Sequence, residues 1–70
     1  MSWSQPVFSK MCQEIGYDDD SGEMVVTWNN GTRGAYVGVS EETALQCSKA
    51  ASVGNFIISE IKPNYSYRRL

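Results

Sequence analysis

The Asn30-Gly31 pair constrains the fold more than any other feature of the sequence. It follows a segment in which Met24, Val26 and Trp28 occupy alternate positions, the spacing of a β-strand with one buried face. Asn-Gly favours positive φ at both central positions of a turn, so it predicts a type I′ hairpin. The chain then returns as a further strand through residues 32–37.

An earlier strand is predicted over residues 9–17, where aromatic and apolar residues alternate with polar ones. The run Asp-Asp-Asp-Ser-Gly at residues 18–22 ends it with a turn composition. Residues 1–8 are predicted to be a flexible lead, because Pro6 interrupts any pattern and Trp3 has no periodic neighbours. Residues 9–70 then form one domain.

Two short helices are predicted after the hairpin. Ser40 suits an N-cap, and Glu41 and Glu42 complement the positive end of the helix dipole. A second helix is expected at about residues 55–61, ended by Pro63, with a polar tail after it. The predicted fold class is α+β: a three-stranded antiparallel β-meander covered on one face by two short helices.

The length of the chain favours binding over catalysis. Seventy residues make one domain whose core supplies roughly 3–5 kcal/mol of stability. The folded surface should be about 4,400 Å², and a standard interface takes about 800 Å² per partner. One partner would therefore cover nearly a fifth of the molecular surface. An enclosed enzyme cleft between two lobes is excluded, because the chain is long enough for only one domain.

Several classes of site are excluded by composition. The chain has no histidine, which removes most general bases near neutral pH, most catalytic zinc sites and all Ser-His or Cys-His pairs. Cys12 and Cys47 are too few for a zinc cluster and are interpreted as buried free thiols, with a disulfide or a redox role as alternatives. No catalytic residue, metal or cofactor is predicted.

Compartment and partners follow from hydropathy and charge. No apolar run is long enough to span a bilayer, and the first residues do not resemble a secretory signal, so a cytoplasmic protein without a membrane partner is expected. Residues 1–48 hold two cations against seven acids, a net charge of −5, and residues 49–70 hold four cations against one acid, a net charge of +3. Only the C-terminal end could neutralise phosphates.

An ordered set of short motifs extends over residues 9–69. Its members are Ile15-Gly16-Tyr17-Asp18, the alternating Met24, Val26 and Trp28, Tyr36-x-x-Val39, and Ala50-x-Ser52-x-Gly54-x-Phe56 followed by Ile61 and Tyr65. In these residues the chain resembles the KTSC domain, named for its place at the C-terminus of some lysyl-tRNA synthetases and also found as a free-standing bacterial or phage protein.

The resemblance implies little about activity. The family is described as of unknown function, and RNA binding is suggested by its synthetase context. Two positions depart from the family pattern: Gly34 stands where the family has the first tyrosine of a Tyr-x-Tyr pair, and Ser40 stands where a proline is usual. If that pair stacks bases, half of the platform is lost here.

Three other motifs have a structural and a functional interpretation. Residues 18–23 do not fit an EF-hand loop, which places glycine sixth and glutamate twelfth, so a solvated turn is preferred to a calcium site. Gly34 marks a bulge or a close approach of another segment rather than a phosphate loop. Ser52 is expected to cap a helix, with Gly54 in the left-handed conformation and Phe56 in the core. The functional alternative is that exposed amides at the start of the second helix capture an anion or a carboxylate of a partner.

The tail combines aromatic and basic residues. Tyr65, Tyr67, Arg68 and Arg69 could contact a protein, or stack bases and pair with phosphates, or Tyr65 could pack on the sheet with the rest solvated. Trp28 is predicted to be core, and Trp3 is predicted to be either an exposed anchor or part of a swapped lead.

The sequence therefore favours a non-enzymatic protein-binding accessory module without a small-molecule substrate. If the chain is encoded by a phage, it would occupy a surface of a host protein or complex. A small RNA-binding domain is the alternative. The oligomeric state is left undetermined. The candidate partner-binding residues are Trp3, Tyr36, Lys62, Tyr65, Tyr67, Arg68 and Arg69, and the structural motif residues are Tyr17, Trp28, Gly31, Ser52, Gly54 and Phe56.

Overall fold

Five antiparallel strands form one sheet, in the order β1-β2-β3-β4-β5, in the computed structural model, which describes residues 2–70. The strands are β1 Ser2–Pro6, β2 Cys12–Asp18, β3 Glu23–Trp28, β4 Arg33–Val37 and β5 Ser66–Arg69. Between β4 and β5 lie α1 Glu41–Ser48, α2 Val53–Phe56 and a π-helical turn, Ile57–Ile61. None of the helices in residues 2–70 has the length and apolar character needed to cross a bilayer.

The α+β class and the antiparallel sheet are confirmed, but the number of strands is wrong. The expected flexible lead contains β1, which pairs with β2 and places Trp3 opposite Tyr17. The expected solvated tail contains β5, which pairs with β4 and places Tyr67 opposite Tyr36. Both additional strands lie at the edges of the sheet, and their side chains are mostly exposed. They are held by main-chain pairing, and they lack the alternation of apolar and polar residues that would predict a strand from the sequence.

The β3–β4 hairpin lies where Asn30-Gly31 predicts it, but its turn is not type I′. Gly31 has φ of 88°, and among residues 2–70 no other type of residue has a positive φ. The Gly31 amide donates to the Trp28 carbonyl at 3.0 Å, and the Trp28 amide donates to the Thr32 carbonyl at 2.8 Å. These bonds define a three-residue loop closed by a left-handed glycine bulge, which needs positive φ at one position rather than two.

The core lies between one face of the sheet and the helical layer. Alternate residues of the three central strands enter it, and α1 and the π-helical turn cover them. Its fully buried larger side chains are Cys12, Ile15, Met24, Val26, Val39, Cys47, Ile57 and Ile61. Tyr17 is also buried, and its hydroxyl donates to the Val39 carbonyl at 2.8 Å, which ties β2 to the segment before α1.

The predicted helix caps are confirmed, with one correction. Ser40 Oγ accepts from the Thr43 amide at 3.2 Å, and Ser52 Oγ accepts from the Asn55 amide at 3.4 Å. Phe56 is half-buried against the core. Gly54 is not left-handed as expected: it lies inside α2, where a Cβ would come within 2.8 Å of the Met11 sulfur. Its lack of a side chain permits close packing of the loop before β2.

Candidate binding groove

The predicted partner-binding residues of β5 lie on opposite faces of the sheet, because side chains alternate along a strand. Tyr67 lies on the helix-covered face with Tyr36, its partner in β4. Arg69, two residues further along β5, lies on the same face. Arg68 lies on the open face. The basic tail therefore does not form a single cationic cluster.

A groove of about 450 Å³ lies between the β5 side of the sheet and the π-helical turn, and we call it the edge groove. Its lining residues are Met11, Trp28, Tyr36, Ile57, Ile58, Lys62 and Tyr67. Three predicted partner-binding residues, Tyr36, Lys62 and Tyr67, thus meet at one place. Met11 and Ile58 were not predicted, since an apolar residue at a groove rim has the same sequence signature as one in the core.

Three aromatic side chains form one wall of the edge groove. The Tyr67 ring lies over Gly34, in the space that a Cβ at that position would need. Trp28 Nε1 donates to the Tyr67 hydroxyl at 3.1 Å, and the Tyr36 and Tyr67 ring centroids are 4.9 Å apart. Gly34 therefore marks the close approach of another segment, which is one of the two interpretations that the sequence allowed. The ring of Tyr67 covers position 34 in place of a side chain at that position.

The floor of the edge groove is buried and its rim is exposed. Tyr36 is only 4% exposed, and burial, with smaller contributions from Tyr67 and Cys47, raises the pKa of its phenol, which keeps it neutral. Met11, Ile58 and Tyr67 are 39%, 49% and 44% exposed. Lys62 adds one positive charge, and none of the seven lining residues is acidic. The groove thus offers apolar area, phenol hydroxyls and an ammonium group.

A second groove of about 440 Å³ lies beside the first, and Met11 lines both. It runs between residues 8–11 and residues 51–55. Phe8, at its margin, has a fully exposed side chain. Exposed apolar groups therefore continue from the edge groove past Met11 to Phe8.

Arg68 forms an ion pair on the open face. Its Nε and Nη2 donate to Glu23 Oε2 and Oε1 at 2.6 and 2.9 Å, and Ser21 Oγ donates to Glu23 Oε1 at 2.9 Å. The hydrogen bonds from Arg68 and then from Ser21 lower the pKa of Glu23 to about 2. The same contact raises the pKa of Arg68. The pair joins β5 to β3 across β4, so Arg68 has a partner within the domain.

Two further predicted partner-binding residues have internal contacts. Trp3 is half-buried, its ring stacks on Tyr17 at 6.1 Å, and its Nε1 donates to Glu41 at 3.0 Å, which connects β1 to α1. Tyr65 is half-buried against the core and lies outside the edge groove. Trp28, predicted as core, is also half-buried against it and contributes its indole to the groove.

Both cysteines are free and buried. Burial raises the pKa of Cys12, and it raises the pKa of Cys47 to about 12, so both remain thiols. In the β2–β3 turn the carboxylate oxygens of residues 18–20 lie within 4.8 Å of one another, and Asp18 Oδ1 accepts from the Asp20 amide at 3.0 Å. This bond is typical of an Asx turn.

Comparison with known proteins agrees with this architecture. The chain is similar to a KTSC domain protein from Yersinia pestis, whose crystal structure superposes with a TM-score of 0.89 at 28% identity, covering 100% of this chain and 99% of that one. Among curated proteins no match is found. The KTSC domain family model matches residues 8–65. By this match, which covers most of its length, the chain belongs to the KTSC domain family.

Proposed function

We propose that the chain is a non-enzymatic protein-binding module and that the edge groove receives the partner. The observation that carries the proposal is the exposed apolar rim of Met11, Ile58 and Tyr67 around the buried Tyr36. Contiguous exposed apolar groups on a small protein mark interaction surfaces. Tyrosine and tryptophan held in a well-packed pocket are the residue types that dominate binding energy at protein interfaces.

RNA is the less favoured partner. Tyr67 and Lys62 could stack a base and pair with a phosphate. However, the guanidinium of Arg68 is already bonded to Glu23, and the groove lining holds one cation. The net charge of −5 on residues 1–48 opposes the approach of a polyanion. The free, buried Cys12 and Cys47 suit a reducing compartment, so we place the interaction in the cytoplasm.

A photo-crosslinking experiment tests the groove. Benzoylphenylalanine replaces Ile58 at the rim in one variant and Leu45, which is exposed on α1 outside the groove, in a control. After irradiation in lysate we expect a nuclease-resistant protein adduct from position 58 and none from position 45. Equal adducts at both positions, or an adduct that nuclease removes, would contradict the proposal.

Titration of labelled single-stranded RNA across a salt series tests the alternative. Because Lys62 and Arg69 are the cations on the groove side, RNA bound there would show a log–log salt slope of about −1.4, at roughly −0.7 per phosphate contact. We expect no binding at low salt. Tight binding with this slope, halved in Arg69→Ala, would replace the protein partner with RNA.

A further inference from the structure

We propose that the partner contributes an extended, acidic segment, which adds to the sheet as a sixth strand along the outer edge of β5. This inference rests on the proposed function of the edge groove and names the form and charge of its occupant. Three features of β5 support it: the direction of its backbone groups, the face of its side chains and the sign of its charge.

The outer edge of β5 presents main-chain hydrogen-bonding groups. The Leu70 amide donates to the Arg33 carbonyl at 3.1 Å, so residues 33 and 70 form a hydrogen-bonded pair. Because such pairs alternate with non-bonded pairs in an antiparallel ladder, Arg68 also bonds towards β4. The N–H and C=O groups of Tyr67 and Arg69 therefore point away from the sheet, where β5 has no neighbouring strand among residues 2–70.

The side chains of the same two residues lie on the groove side of the sheet. A residue of an added strand opposite Tyr67 would project from that face, beside the Tyr67 ring and over the exposed Ile58. Strand addition of this kind uses main-chain bonds for affinity and a pocket for alternate side chains for selectivity. The edge groove lies where such a pocket is needed.

The positive charges near the outer edge of β5 favour acidic residues in the added strand. Arg69 is exposed on the edge and Lys62 lines the groove, while Arg68 is already paired. Acidic residues opposite or diagonal to Arg69 would form cross-strand ion pairs. A second copy of β5 fits poorly in each antiparallel register. Registers centred on residue 68 or 69 place an arginine opposite its own copy, where like charges are destabilising, and the register centred on Tyr67 pairs only residues 66–68 of the two strands.

The other edge of the sheet is less suited to a partner strand. The Val7 amide donates to the Gln13 carbonyl at 3.1 Å, so Ser4 and Pro6 point outward from β1. Proline has no N–H to donate, and a proline on an edge strand hinders further pairing. Of the two edges, β5 is the one that we assign to strand addition.

Selection from a random decapeptide library on the folded protein, followed by amide hydrogen exchange, tests the inference. We expect enriched peptides in which Asp or Glu alternates with apolar residues. With the dominant peptide bound, the Tyr67 and Arg69 amides should change from fast to slow exchange, while the Arg68 and Leu70 amides keep their protection. Arg69→Glu should weaken binding about tenfold. Lys49→Glu, a charge reversal at the C-cap of α1 that lines neither groove, should not change it.

Each opposing result has a distinct meaning. Binding that shifts Ile58 and Tyr67 side-chain resonances without protecting the Tyr67 and Arg69 amides overturns strand addition but leaves the groove as a protein-binding site. Enrichment of basic peptides, or of none, overturns the acidic strand. If the Tyr67 and Arg69 amides become protected without peptide, and more so at higher protein concentration, the occupant of the edge is a second copy of the chain and the acidic strand is overturned. The crosslinking at position 58 judges the proposed function separately from all three results.

Discussion

Tyr67 fills the space beside Gly34 that a side chain at that position would occupy. The two residues are diagonal neighbours across the β4–β5 ladder, within reach of a long aromatic side chain. The Trp28 indole then fixes the phenol through its hydrogen bond. The wall of the edge groove therefore depends on the absence of a side chain as much as on the presence of a ring.

A double-mutant cycle tests this dependence. Gly34→Ala displaces the Tyr67 ring and breaks its bond with Trp28, so it should destabilise the domain by about 1 kcal/mol, the usual worth of such a bond. In a Tyr67→Ala background the same change should cost nothing. Urea unfolding of the four proteins supplies the cycle. Additive costs would mean that the two residues do not share this space.

Gly31 is a second position at which a single residue type is required. Its φ of 88° lies in the left-handed region, where a β-branched residue is strained, so Gly31→Val should destabilise the domain by about 1–2 kcal/mol. Gly31→Asn should cost less, because asparagine tolerates this region. Thermal unfolding of the three proteins decides, and equal midpoints would show that the bulge at residue 31 does not need glycine.

Among the strands and helices, the sequence predicts those whose side chains alternate between a buried and an exposed face. β3 and β4 are predicted by the alternation of Met24, Val26 and Trp28 and by Asn30-Gly31. α1 is predicted by its cap at Ser40. β1 and β5 expose almost all of their side chains, so neither has a hydrophobic period, and Pro6 suggested a break.

The candidate site was predictable to a similar extent. The sequence singles out Tyr36 and Tyr67 because tyrosine is enriched at interface hot spots, and Lys62 because it belongs to the basic C-terminal end that could contact phosphates. The structure places the three side chains together. The role of Arg68 could not be predicted, because its partner Glu23 is 45 positions away in the sequence. The two side chains meet only because β3 and β5 both lie next to β4 in the sheet.

The ion pair between β5 and β3 should make stability depend on pH. The pKa of Glu23 in the folded chain is about 2, below its ordinary value of 4.5. The carboxylate therefore stabilises the fold above pH 4.5, and this contribution is lost as the pH falls towards 2. Glu23→Gln should unfold more easily than the wild type near neutral pH.

The stability difference between Glu23→Gln and the wild type should shrink to nothing at the acid end of that range. Denaturant unfolding across the pH series measures it, with the exposed Glu60→Gln as a control that should follow the wild type at every pH. A difference that stays constant with pH would show that Arg68 does not stabilise the ionised form of Glu23.

The accessible surface of the molecule is 4355 Å². One standard interface of about 800 Å² would take nearly a fifth of it. The two grooves share Met11 and extend from Phe8 to Tyr67. One partner could therefore cover both grooves at once.

The edge strands should unfold together with the core, because a domain of this size has one cooperative transition. Trp3→Phe leaves Trp28 of β3 as the fluorescent reporter, and Trp28→Phe leaves Trp3 of β1. Within each variant we expect the indole signal and the far-ultraviolet signal to change at one denaturant concentration. A Trp3 signal that changes before the secondary structure would show that β1 is a separate, flexible lead.

The unequal edges of the sheet limit how far any assembly can grow. β5 ends the sheet with free main-chain groups, whereas β1 ends it with Pro6, which has no N–H to offer. A fibril needs every molecule to accept a strand on one side and present one on the other. Because Pro6 hinders pairing at β1, strand addition should stop after one partner at β5, so we expect one-to-one complexes and no fibrils of the folded chain even at high concentration.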